Sequence, residues 1–318
     1  MKAAVHDRFG GPEVLEVRDI PAPVPGPGEV LVRVHAAAIN PKDALVRLGK
    51  FRRMSGSDFP KLTGLDHAGT IAALGPGVTG FAVGEAVFGM LNGWKGGTCA
   101  ECVVAKPGEL AAKPAALEFG EAAAIPLAAL TALQALRDLG RVGPRSCVCI
   151  HGASGGVGLF AVQIAKALGA RVTALCGPAA AELVRSLGAD EVLDYQAQPP
   201  ASLGQRFDCF FDVFGNQSFG GMNRQLAPRG IYISTVPSRR NIIDYLRTRF
   251  WPGRRARLVV VKSRRADLET LARWSGEGRL RAVIAARFPL AQIRGAHEQV
   301  QTKRTHGKIV IDIVENKA

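Results

Sequence analysis

Long apolar runs are missing from this chain. Its longest uncharged stretch, Cys147 to Ala165, is broken by His151 and several glycines, so nothing in it reads as a membrane span. The apolar core of a secretory signal is missing too, since Met1 to Gly11 carries Lys2, Asp7 and Arg8. Cysteine is sparse: Cys99, Cys102, Cys147, Cys149, Cys176 and Cys209 are scattered, mostly in strand-like runs where a free thiol behaves as a small apolar side chain. These absences lead us to expect a cytoplasmic protein kept in reducing conditions. Internal repeats and low-complexity segments are also lacking. Acidic residues run short in one region only. Residues 1–236 carry 22 basic and 20 acidic side chains, residues 237–318 carry 19 and 7, and Pro237 to Arg265 sets ten basic residues against Asp244 alone. A protein that grips nucleic acid over its whole surface would spread such an excess, so no nucleic-acid partner is expected.

With 318 residues, 47% of them hydrophobic, the chain is long enough for two domains with separate cores. Residues 1–115 read as short strands at Met1 to His6, Leu15 to Ile20, Val30 to Ala36, Gly69 to Leu74, Glu85 to Met90 and Cys99 to Ala105. Gly10-Gly11-Pro12 and the proline-rich stretch Pro21 to Gly28 separate the first three, and a short helix follows Pro41. At Leu117 the composition turns rich in alanine and leucine, with Pro126 breaking two helical pieces. Strands at 147–151, 171–176, 191–195, 208–214 and 230–236 then alternate with helices at 156–168, 179–187 and 217–226, the signature of a parallel doubly wound sheet. Further pieces are expected as a strand at 258–262, a helix from Asp267 to Glu277, a strand at 282–288, a helix to about Lys303, and a last strand from Lys308 to Val314.

The alternating region opens on Cys147 to Ala170. An apolar strand runs into Gly152-Ala153-Ser154-Gly155-Gly156-Val157-Gly158, and from Leu159 the apolar residues recur at helical spacing. Glycines in this place let the backbone approach a pyrophosphate, and N–H groups at the helix N-terminus bind the anion. A glycine pattern means little alone; between a strand and a helix it reads as a dinucleotide site.

With these pieces in place, the chain resembles the medium-chain dehydrogenase/reductase superfamily, and within it the zinc-free quinone oxidoreductases. The resemblance rests on Lys2-Ala3-Ala4, on Pro27 to Val32 and on Gly64-Leu65-Asp66-His67-Ala68-Gly69. Gly75 to Val78, Val83 to Val87, Ala153 to Gly158 and Leu187 to Tyr195 extend it. It implies an α/β protein made of a GroES-like β-rich catalytic domain, residues 1–117 and 262–318, and a Rossmann domain, residues 118–261. Zinc enzymes of the superfamily place metal ligands where this chain has Asn40 and Leu65. Catalytic zinc needs three protein ligands, so no metal is expected. Cys99-Ala100-Glu101-Cys102 lacks the two further ligands of a zinc site and reads as strand, hence as two packed thiols on opposite faces. His67 could shuttle protons or be a satisfied core histidine, and His151 ends the first strand of the doubly wound sheet.

The resemblance implies hydride transfer from a nicotinamide to a quinone or an α,β-unsaturated carbonyl. Asn40 would lie near the nicotinamide or the acceptor oxygen, with Asp43 ordering the loop; both residue types are also ordinary turn chemistry before a helix. Thr131, Ala153, Ser154, Gly155, Gly156, Val157, Gly177, Tyr195, Phe214, Val236 and Lys308 would line the cofactor. Acceptor choice is expected from Arg47 to Lys61 and Met90 to Trp94, and a homodimer is expected. NADPH is predicted over NADH. The second strand of this fold usually ends in an acid that holds the ribose 2′-hydroxyl, and here it ends in Cys176-Gly177-Pro178. Backbone N–H groups from Gly177 and the next helix would meet the 2′-phosphate, although no lysine or arginine lies between Gly177 and Glu182. The alternative function is an NADPH-binding interaction protein with little catalysis. The basic segment 237–265 keeps that reading open through the stretch Asn241 to Trp251 within it. As a basic amphipathic helix it either makes peripheral contact with an anionic membrane or a partner or, as we prefer at this point, packs at a domain or dimer interface.

Overall fold

The computed structural model describes residues 1–314. It divides into two compact units, Met1–Leu127 with the segment that starts at Lys262, and Ala128–Val261.

In the first unit the central strand is Val30–Ile39, whose alternating apolar residues bury one side chain in two before the strand becomes fully buried at its end. It pairs antiparallel with Asp66–Leu74, with Cys102–Ala105 and with Lys308–Asp312. Ala86–Met90 and Leu110–Ala112 extend the sheet on one side, and Ile284–Pro289 closes it on the other. Glu16–Asp19, Lys2–His6 and Lys61–Leu62 form a second, three-stranded sheet. A core of Ala37, Ile39, Ala44, Ile293, Ala296, Ile309 and Ile311 ties the C-terminal segment to the N-terminal strands. The first unit also takes in Phe119–Ala123, which the composition change at Leu117 assigns to the second; Phe119 stacks on His35 with ring centroids 4.2 Å apart.

In the second unit six strands are all parallel, in the order Glu191–Asp194, Arg171–Cys176, Cys147–His151, Phe207–Asp212, Leu226–Ser234, Arg255–Leu258. This is the 3-2-1-4-5-6 order of a doubly wound Rossmann sheet, whose switch point lies between the strands ending at His151 and Asp212. Three elements differ from expectation. The sixth strand is Arg255–Leu258, not 258–262. Only Ala256 is buried there, so the strand alternates charge with apolar residues at the sheet edge, while the more apolar Val259 and Val260 lie beyond it. The helix expected at 217–226 is reduced to Phe219–Met222 and a 3₁₀ turn, because Leu226 already belongs to the fifth strand. The helix after Cys176 begins only at Ala181, behind a 3₁₀ turn at Pro178–Ala180.

Candidate active site

Strand register assembles the polar centre of the first unit. Ile309 pairs with Ile39, which sets Lys308 beside Asn40, and Ala38 pairs with Asp66. The Lys308 ammonium donates to Asn40 Oδ1 at 2.5 Å and to Asp66 Oδ2 at 3.2 Å. Asn40 Nδ2 donates to Asp66 Oδ2 at 2.9 Å, and the Leu127 N–H donates to Asp66 Oδ1 at 2.8 Å. All three side chains are buried, Asp66 completely. A charge removed from water this thoroughly needs partners, and here each carboxylate oxygen has one. Burial raises the Asp66 carboxyl above its ordinary range, opposed by Lys308, Asn40 and the Leu127 N–H.

Asp43 has a different task. It is the third residue of the helix Pro41–Arg47, and its Oδ2 accepts the Asn40 N–H at 2.8 Å, fixing the turn that delivers Asn40. Burial pushes its carboxyl up to about 7. Both polar atoms of the Asn40 side chain are taken up inside this cluster, Nδ2 reaching the Ala38 carbonyl as well. His67 points into the strand-rich core, fully buried, and burial pushes its imidazole down to about 4, which leaves it neutral. Arg47, expected among the residues that choose the acceptor, is instead a fully buried strut: it donates to the Gly10 carbonyl, to His297 Nδ1 and to Gln301 Oε1. Trp94 does face a different group, with Lys42 4.2 Å above its ring and Phe51 against it at 4.5 Å.

The residues do not fit zinc. The first expected ligand position is the amide of Asn40, already bonded to the Lys308 ammonium, and the second is Leu65. Among the described residues no group of three His, Cys, Asp or Glu is placed to hold a metal ion.

A nicotinamide dinucleotide does fit the second unit. Gly155 caps the helix Gly156–Ala167 with extended backbone and no side chain bonds across its N-terminus, leaving the first-turn N–H groups to an anion. Gly152 and Ala153 N–H groups both donate to the Leu175 carbonyl, which ties the turn to the second strand. Ala153 is buried, while Ser154, Gly155, Gly156 and Val157 are partly open. Around the ends of the strands Tyr195, Phe214 and Val236 stand 41%, 52% and 38% exposed, apolar surface that a flat ligand would cover. His151 lies 6.1 Å from the Tyr195 ring and 6.3 Å from Phe214; its Nε2 meets Asn216 Oδ1 at 2.8 Å, and its buried Nδ1 has no partner. Thr131 is buried in the helix Pro126–Leu133.

Two features of this rim escape the sequence reading. Asp212 accepts N–H bonds from Gly215 and Gln217 and the hydroxyl of Tyr232, each at 2.8 Å, and so shapes the loop that carries Phe214 and Asn216. An acid at a strand end three residues before a glycine was the available signal. Arg185 is the second: it lies close enough to Cys176 to oppose the burial that raises that thiol. Only the helical turn, not the chain, brings it there.

Comparison with known proteins gives the same account. Residues 26–128 match the family described as alcohol dehydrogenase GroES-like domain, and residues 187–311 match zinc-binding dehydrogenase. The chain is 32% identical to the chloroplast envelope quinone oxidoreductase homolog of Arabidopsis thaliana, over 98% of each chain. It is 33% identical to the human mitochondrial NAD(P)H oxidoreductase RTN4IP1, over 99% of this chain and 89% of that one. The structure of the quinone oxidoreductase from Coxiella burnetii superposes with a TM-score of 0.90 at 30% identity, covering 99% of both chains. The fold of both units, the glycine turn of the second and a relationship that runs over nearly the whole chain lead to one conclusion: the chain belongs to the medium-chain dehydrogenase/reductase superfamily, in its quinone oxidoreductase branch.

Proposed function

We propose that this protein transfers a hydride from NADPH to a quinone or an α,β-unsaturated carbonyl without a metal. The observation that carries the reading is the Lys308 cluster, a buried cation bonded to Asn40, the position at which the resemblance places the first zinc ligand. An ammonium has three N–H donors. Two are used on Asn40 and Asp66, and the third is left to polarise a carbonyl oxygen. Asn40 and Asp66 hold the ammonium in place, and Asp43 holds Asn40. The nicotinamide, when bound, supplies the hydride. On an enone the hydride forms a C–H bond at the β-carbon, the electron pair of the C=C bond moves to the oxygen stabilised by Lys308, and the α-carbon takes a proton from solvent. A quinone takes the hydride and one proton to become a hydroquinone. The glycine turn binds the pyrophosphate, and Tyr195, Phe214 and Val236 cover the rest of the dinucleotide.

The test is NADPH oxidation by the whole protein with a simple benzoquinone and, separately, with a short-chain enone. Turnover with either is expected, and Lys308→Arg should lower kcat at least about tenfold, because the planar guanidinium cannot repeat the ammonium geometry. Tight NADPH binding with no turnover of either acceptor would give the protein to the interaction class instead.

A further inference from the structure

The helix Arg239–Thr248 is inside out. At 100° per residue Asn241, Asp244, Tyr245 and Thr248 share one face, and Ile242, Ile243 and Leu246 the other. The polar face is the packed one. Asn241 is 4% exposed and donates to Ser234 Oγ and to the Val236 carbonyl. Thr248 Oγ1 accepts the Ala256 N–H at 2.8 Å and donates to the Asp244 carbonyl at 2.7 Å. The apolar face looks outward: Ile243 is 51% exposed, Leu246 59%, and just past the helix Phe250 is 89% and Trp251 63%. Single exposed apolar residues need no explanation, but a contiguous set on one helix face marks a contact surface.

The surroundings decide what covers it. Arg239 sits within the apolar face, Arg240 and Arg247 border it on one side, and Arg249 borders it on the other, over the Phe250 ring at 5.3 Å. Arg247, Trp251 and Arg254 also edge an open groove beside it. Asp244, the one acid between Pro237 and Arg265, is on the packed face, with Oδ2 buried. A second copy using the same patch would bring no carboxylate to meet these arginines, because a two-fold interface pairs the patch with itself and its open face carries no acid. Nucleic acid would use the guanidinium groups and the aromatic rings but would leave Ile242, Ile243 and Leu246 in water. An anionic bilayer satisfies both halves. Its headgroups meet the arginine collar, and the boundary of its acyl chains takes the apolar residues. Among the described residues no helix is long and apolar enough to cross a membrane, so such contact lies in the interfacial plane.

We propose that the outward face of the Arg239–Thr248 helix, with Phe250 and Trp251, docks on the surface of an anionic lipid bilayer. This goes beyond the oxidoreductase reading and does not depend on it. The experiment is co-sedimentation of the full chain with phosphatidylcholine vesicles with and without phosphatidylserine. Binding should require the anionic lipid and weaken about tenfold when salt is raised from about 0.1 to 0.5 M. Trp251 fluorescence should shift to the blue, and Trp251→Phe should abolish the shift while Trp94 and Trp274 remain. Leu246→Ser with Phe250→Ser should lower partitioning about tenfold with an unchanged melting temperature, since both side chains are exposed. Three results overturn the proposal: no sedimentation with anionic vesicles, partitioning indifferent to the double substitution, or a solution dimer that the double substitution splits. Capture of an acidic peptide or RNA without vesicle binding also overturns it.

Discussion

The two units handle charge in opposite ways. The first buries whole side-chain charges and compensates them within a few ångströms, Lys308 against Asp66 with Asn40 between. The second keeps its charge-binding groups on the backbone, at an uncapped helix end beside half-open rings. The first arrangement is therefore sensitive to what is taken away, because a lost partner leaves a naked buried charge. The second is sensitive to what is added, because its working surface is the space that a Cβ would fill. Substitutions that reverse this contrast would break it.

The largest effect is expected from Lys308→Met. It strands Asp66, which is completely buried, and removing one partner of a buried pair costs about 3–5 kcal/mol. Asp66→Asn in the same chain should recover part of that loss, since the amide needs no counter-charge. Chemical denaturation of the three variants measures both. Should the single substitution leave the midpoint unmoved, the pair is not a compensated charge.

The next effect separates two glycines of one turn. A Cβ on Gly158 would lie 2.2 Å from the Gly152 carbonyl oxygen, so the helix could not keep its approach to the strand. Gly158→Ala should cost roughly 1–3 kcal/mol of stability. A Cβ on Gly155 would stand 3.6 Å from that same oxygen, an ordinary contact. Gly155→Ala should hold stability within about 0.5 kcal/mol and instead weaken dinucleotide binding, by placing a methyl where the pyrophosphate must come. Melting curves and NADPH titrations of both variants should show the losses exchanged between the two assays; equal losses in both would undo the distinction.

The same contrast explains how much could be read from the chain. The glycine turn was legible because strand, turn and helix are contiguous and each local preference points to one structure. The Lys308 cluster was legible only in part. Lys308 and Asn40 were expected along the cofactor through resemblance, but nothing near Lys308 announces that Ile309 pairs with Ile39 and brings the ammonium to Asp66. Register between strands far apart in the chain is set by the whole core. Asn241 to Trp251 was legible as amphipathic, and its orientation was not. Apolar residues on a helix argue for burial, yet within the chain the hydrogen bonds of Asn241 and Thr248 turn the polar face inward. The sixth strand was missed because Arg255 and Arg257 mask an edge strand that a run of valines imitates.

The smallest effect concerns NADPH against NADH, and it sharpens the account of the second unit. The strand ending at Cys176 has no carboxylate of its own to offer a ribose hydroxyl, and the acid beside it is Asp194, paired with Cys176 on the neighbouring strand. The backbone offers less than the chain suggests, however. Pro178 has no N–H, and the Ala180 N–H is already donated to the Gly177 carbonyl at 3.2 Å. A side chain close to this turn can add the attraction that these two backbone positions do not supply. Arg185, exposed on the following helix and near Cys176, is the available cation. We expect kcat/KM to favour NADPH by about tenfold, near 1.4 kcal/mol. A single exposed charge contact is worth no more than that. Arg185→Ala should erase most of the preference by weakening NADPH alone. Gly177→Asp should invert it, because the new carboxylate repels the phosphate and accepts the ribose hydroxyl. Initial rates with both dinucleotides at several ionic strengths decide the matter, since a preference resting on one exposed arginine must shrink as salt rises. A preference that survives both Arg185→Ala and high salt would place phosphate recognition in the backbone after all.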